Sequence, residues 1–100
     1  MCYNINMKNR FDISEFVAVY TIDNVNFRLV ERVRERRKEM GLTREELSKR
    51  SGVSYASIRR FEDTGQISLI SLLKIANVFN TLKDFDYLFK DEIINSYKEY

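Results

Sequence analysis

The residues of this chain best suited to surface chemistry fall in one short run. Ser54, Tyr55, Ala56, Ser57 and Arg60 stand together at the start of a segment with helical periodicity. An arginine presents a planar fork that can donate two parallel hydrogen bonds to a guanine edge, a contact that discriminates between bases by roughly 1–3 kcal/mol. Tyr55 can stack on a sugar or touch a thymine methyl, and Ala56 is small enough to permit close approach. Just upstream, Thr43 and Arg44 open another helical segment, where charge and helix dipole favour the same anion. Lys49, Arg50 and Arg59 add cations that suit phosphate contacts or solvent. The expected chemistry is recognition of double-stranded DNA, with Ser54, Tyr55, Ala56, Ser57 and Arg60 at the bases and Thr43, Arg44, Lys49, Arg50 and Arg59 at the phosphates.

Catalysis has little to stand on. The chain has no histidine and one cysteine, so the usual general base is missing and a zinc site cannot be assembled from Cys and His. No glycine-rich phosphate loop is present. The expectation is a non-enzyme with no cofactor and no metal. Cys2 reads as an incidental terminal thiol in a reducing, cytoplasmic setting. No apolar run is long enough to span a bilayer, and no membrane partner is expected.

The 100 residues fit one small domain, with 44% hydrophobic and 32% charged residues. Net charge is only +2, but its distribution is uneven. From Arg28 to Arg60 there are 11 Lys/Arg against 5 Asp/Glu, whereas the flanks together carry 6 against 10. A basic central block between mildly acidic ends suits a polyanion partner, although a solvated helix face has the same composition.

These residues need elements to position them. Thr21 is placed to cap a first helix reaching to Met40, with Asp23 in its first turn. Ile22, Val25, Leu29, Val33 and Met40, with Val30 beside them, mark its apolar face, and Gly41 closes it. Thr43 followed by Glu46 forms a capping box for a short helix from Arg44 to about Ser51. Ser54 caps a third helix that runs to about Thr64 and stops at Gly65. Ser68 caps a fourth, with Leu69, Leu72, Ile75, Ala76 and Phe79 as its buried stripe and Asn80 at its end. Leu82, Phe85, Leu88 and Phe89 supply a further apolar turn or two. Residues 12–20 fit a short helix or a strand, with the helix favoured. The expected organisation is an N-terminal extension over 1–20, a five-helix all-α domain over 21–89, and a tail or short helix over 90–100.

Two short helices joined through a tight turn describe a helix-turn-helix unit. Leu42, Leu47, Val53, Ile58 and Phe61 would point inward and fix the angle, while Gly52 sits where the chain must reverse. The second helix of such a unit lays its first residues against base edges as the first crosses the sugar-phosphate backbone.

The stretch LTREELSKRSGVSYASIRRFE, followed by ISLISLLKIANVF, resembles the helix-turn-helix family of phage lambda-type repressors and Cro, also called the xenobiotic-response-element family. The resemblance spans about Val25 to Phe89 and implies a compact all-α, lambda-repressor-like DNA-binding domain. Arg44 stands at an often-glutamine position of that pattern and Ser48 at a small alanine position. Residues 57–89 also look like HipB-like antitoxins encoded beside kinase-like HipA toxins. That likeness implies a homodimeric autorepressor on a palindromic operator, with a kinase-like toxin as a second partner. The rival reading is a protein-interaction module of the same fold that has lost DNA binding. Sequestration of Arg44, Arg59 and Arg60 by acidic groups would favour it.

Overall fold

In the computed structural model, residues 19–91 are described; positions 1–18 of the expected extension over 1–20, including most of the helix-or-strand segment over 12–20, and positions 92–100 of the expected tail over 90–100 lie outside them. The described residues form five helices: α1 (Ile22–Glu39), α2 (Arg44–Ser51), α3 (Tyr55–Thr64), α4 (Leu69–Val78) and α5 (Leu82–Asp86). No strand occurs among them.

Four helices begin where a hydroxyl satisfies a first-turn amide. Thr21, Thr43, Ser54 and Ser68 each accept from the backbone N–H three residues on. Such caps contribute about 1 kcal/mol each. At Thr43 the box is complete: Glu46 Oε1 accepts from the Thr43 N–H at 2.8 Å and Thr43 Oγ1 accepts from the Glu46 N–H at 3.1 Å. The backbone hydrogen bond, chiefly, holds the Glu46 carboxyl below its usual range.

The helix ends are equally local. Leu42 donates to the Arg37 carbonyl and Gly41 to that of Lys38, the paired bonds of a Schellman stop. Asn80, at φ 60°, ends α4 in the same way, with Thr81 donating to Ala76. Gly52 takes φ 80° between α2 and α3, a left-handed conformation that a side chain would strain.

The core lies where α2, α3 and α4 meet the second half of α1. Leu47, Ile58, Phe61 and Ile75 have almost no exposed surface, and Leu42, Val53, Leu72 and Phe79 close around them. Burying each such side chain stabilises by roughly 1.5–3 kcal/mol. All of these were expected inside.

Four residues of the expected apolar stripes are exposed, and Leu29 is half-buried. Ile22 is 88% exposed, and Val25, Met40 and Leu69 are exposed as well. Along α1 the inward face runs Val30, Val33, Arg37 instead, a swing of the helix that places an arginine on the buried side. Asn26 meets the body at the Gly65 carbonyl, 3.2 Å away, and Ile22 lies one turn beyond that contact. Leu69 opens α4 at the rim of a groove shared with Leu82 and Phe85 and is 63% exposed.

Candidate nucleic-acid interface

The angle between α2 and α3 is fixed from behind by an ion cluster. Glu62 is buried on α3 and accepts from Arg37 twice, Nε to Oε2 at 2.8 Å and Nη2 to Oε1 at 3.1 Å. Arg37 also donates through Nη1 to the Leu42 carbonyl at 2.9 Å. Arg44, first residue of α2, donates Nε to Glu62 Oε1 at 2.9 Å. Arg34 Nε stands 4.0 Å from the same oxygen, too far for a hydrogen bond, and has no hydrogen-bond partner among the described residues. One carboxylate thus ties the end of α1, the turn after it, the start of α2 and the body of α3.

Burial alone would push the Glu62 carboxyl up, yet hydrogen bonds and charge from Arg37 and Arg44 outweigh it and hold it below the usual value. The same contact raises Arg44, first through its hydrogen bond to Glu62 and then through charge; a hydrogen bond with Tyr55 adds to it. Through Glu62, Arg44 ties the start of α2 to α3.

With Ile58, Phe61 and Glu62 turned inward, Ala56 and Arg60 share the opposite face of α3, one helical turn apart. Ser54, Tyr55, Ala56 and Arg60 are exposed and Ser57 is half-buried. The two serines are linked: Ser54 Oγ accepts from the Ser57 N–H at 3.1 Å and donates to Ser57 Oγ at 2.9 Å. Arg60 Nη2 donates to Gln66 Oε1 at 2.7 Å. Thr64 Oγ1 donates to the Arg60 carbonyl at 2.7 Å and accepts from the Gln66 N–H at 3.3 Å. Gln66 is thereby anchored to the end of α3, with its side-chain carbonyl against the Arg60 guanidinium.

The remaining cations are arranged less tightly. Arg59 and Asp63 form an exposed pair at 3.8 Å, the kind worth a few tenths of a kcal/mol, roughly. Lys49 and Arg50 stand exposed in the last turn of α2, and Thr43 is occupied as a cap. Thr43, Arg44 and Tyr55 come together at one edge, while Arg60 and Gln66 form a second cluster toward the far end of α3.

Reading the sequence residue by residue missed Glu62, Arg37, Arg34 and Gln66. The signal for the first two was present: Arg37 continues the spacing of Val30 and Val33, and Glu62 follows Ile58 by four. A charge at a core position with an opposite charge at another is the pattern of a buried pair. Gln66 carried no periodic signal, since it lies in the turn after α3.

Among the described residues no cluster of His, Cys, Asp and Glu could hold a metal ion, and no helix is long and apolar enough to cross a membrane. Neither a curated protein nor a solved structure matches the chain. A helix-turn-helix family model matches residues 33–85, just over half of it, from the inner part of α1 through most of α5. With the capped α2, the left-handed Gly52 and the outward face of α3 within that span, the chain belongs to the helix-turn-helix family of the Cro/C1 type, DNA-binding regulators of transcription rather than enzymes.

Proposed function

We propose that the chain is a sequence-specific repressor that acts as a homodimer on a palindromic operator, reading two half-sites about one helical turn apart, roughly 34–36 Å. The observation that carries this reading is the outward face of α3, where Ala56 and Arg60 are exposed and Arg60 donates to Gln66 at 2.7 Å. A guanidinium restrained by a neighbouring hydrogen bond loses less entropy on meeting a guanine than a free one would. Ser54, Tyr55, Ala56, Ser57 and Arg60 are assigned to the bases. Thr43, Arg44, Lys49, Arg50 and Arg59 are assigned to phosphates.

The acidic contacts at Arg44 and Arg59 do not favour the interaction-module reading. Glu62 takes only the Nε of Arg44, one of five N–H donors, and so orients the guanidinium without exhausting it. The Arg59 to Asp63 pair is exposed and gives way to a phosphate at little cost.

Residues 21–89 form the binding domain in this reading, flanked by 1–20 and 90–100. Control of its own operon, and partnership with a kinase-like toxin, rest on the likeness of residues 57–89 to antitoxins. Selection of binding sites from a random duplex pool tests the core of the proposal. A recovered palindrome with half-sites one turn apart supports it, and recovery of unrelated sequences at low salt defeats it. Inspection of the neighbouring reading frame for a kinase-like gene tests the antitoxin element.

A further inference from the structure

The chain enters α1 by doubling back beside it. Arg28 Nη2 donates to the Val19 carbonyl at 3.2 Å, and the same guanidinium stands 5.8 Å from the centre of the Tyr20 ring, within cation–π reach. Arg28 lies well inside α1, which begins at Ile22, so Val19 and Tyr20 run alongside the helix instead of leading away from its start. Arg28, Arg32 and Arg36 recur at every fourth position and therefore share one side of α1. Arg32 and Arg36 also line an open groove of about 460 Å³ between α1 and α5, together with Val25, Leu29, Phe85 and Leu88. Val25 and Leu88 are exposed and Leu29 and Phe85 are half-buried, so the groove presents apolar surface beside two cations.

From this arrangement we infer that residues 12–18 of the same chain cover the groove between α1 and α5. It holds whether or not the chain binds an operator. Direction is the first argument. Traced backward from Ile22, the chain moves toward the C-terminal end of α1, and a continued course passes Arg32 and then Arg36. From Arg28 to Arg36 is about 12 Å along a helix that rises 1.5 Å per residue, a distance that about four extended residues cover. Residues 12–18 therefore have the length to span it. Chemistry is the second argument. Ile13, Phe16 and Val17 are apolar, and Asp12 and Glu15 are the charges of the stretch, both negative. The apolar side chains suit Val25, Leu29, Phe85 and Leu88, and the carboxylates suit Arg32 and Arg36. Arg36 is engaged only with Glu39, in an exposed pair at 3.3 Å that gives way at little cost. Asp84, on the α5 wall, is the one acidic residue lining the groove among the described residues.

The experiment places a reporter thiol in the groove of the full chain, Val25→Cys with Cys2→Ser, and follows its labelling by a maleimide without DNA. A covered groove should label at least roughly tenfold more slowly than the same chain unfolded in urea, because the reagent must await a local opening. Replacing Ile13, Phe16 and Val17 together by serine should remove most of that protection. These positions precede α1, so the helical circular dichroism of the domain should stay unchanged and serves as the folding control. Glu15→Arg and Arg36→Glu should each speed labelling, and the two together should slow it again. The protection should not depend on protein concentration. A thiol that labels as fast in the folded chain as in urea overturns the inference, and so does protection that the triple serine variant leaves intact. Protection that grows with concentration also overturns it, because a second copy is then the cover.

Discussion

Glu62 accepts two hydrogen bonds from the Arg37 guanidinium inside the protein, at 2.8 and 3.1 Å, and this pair holds α3 to α1. Removing Glu62 strands the Arg37 charge in a dry site, and removing Arg37 leaves Glu62 with Arg44 as its remaining donor; breaking a buried pair in this way costs about 3–5 kcal/mol. Glu62→Ala and Arg37→Ala should each lower the urea midpoint severely, while a double change to apolar residues of similar volume should cost far less. A double mutant as unstable as the singles would sink the ion-pair account.

Acid should probe the same pair. The Glu62 carboxyl titrates below its unfolded value near 4.5 in the folded chain, so the unfolded chain binds that proton more readily. The stabilisation is complete above about pH 5 and disappears as pH falls through the lower, folded value. The stability gap between wild type and Glu62→Gln should narrow across that acidic range and stay constant around neutrality. Urea unfolding at a series of pH values reads it; a gap that widens toward acid would contradict the assignment.

Gly52 and Gly65 should respond differently to alanine. Both have positive φ, which costs an L-residue about 1–2 kcal/mol. A side chain at Gly52 meets nothing, whereas one at Gly65 runs into the amide of Asn26 and displaces its hydrogen bond to the Gly65 carbonyl. Gly65→Ala should therefore lose about 1 kcal/mol more than Gly52→Ala. Equal losses in thermal unfolding would show that the Asn26 contact contributes nothing.

Arg60→Ala should relax preference at one base position while leaving affinity for random duplex nearly unchanged. Gln66→Ala should relax the same position by a smaller factor, because the fork remains but is no longer held. Binding-site selection with the three proteins compares them. Preference lost at different positions would separate the two residues.

Arg44→Ala should weaken all duplexes alike and reduce the slope of log affinity against log salt by about 1. It should also cost stability through Glu62, which keeps Arg37 but loses a donor. An unchanged salt slope with reduced stability would confine Arg44 to a structural role.

The elements were legible because their signals are short-range. A hydroxyl at Thr21, Thr43, Ser54 or Ser68 meets an amide three residues away, and Gly41, Gly52, Gly65 and Asn80 stop helices through their own conformation. The interior of the motif followed from spacing for the same reason. What escaped was rotation and coverage. Whether α1 turns Met40 or Arg37 inward depends on a partner 25 residues away, which no local window contains. Leu69 looked like core because hydrophobicity names a side chain that wants cover and does not say whether its own chain provides it. The role of Gln66 depends on a contact made by the turn in which it sits.

The principal helix contacts join α2 to α4, α2 to α3, α1 to α3 and α4 to α5, so no element must find a partner more than two places along the chain. Little loop entropy is spent before the core begins to form, and chains built this way reach the native state in roughly microseconds to milliseconds. Folding of a domain so constructed is short beside its synthesis, which proceeds at roughly 5–20 residues per second.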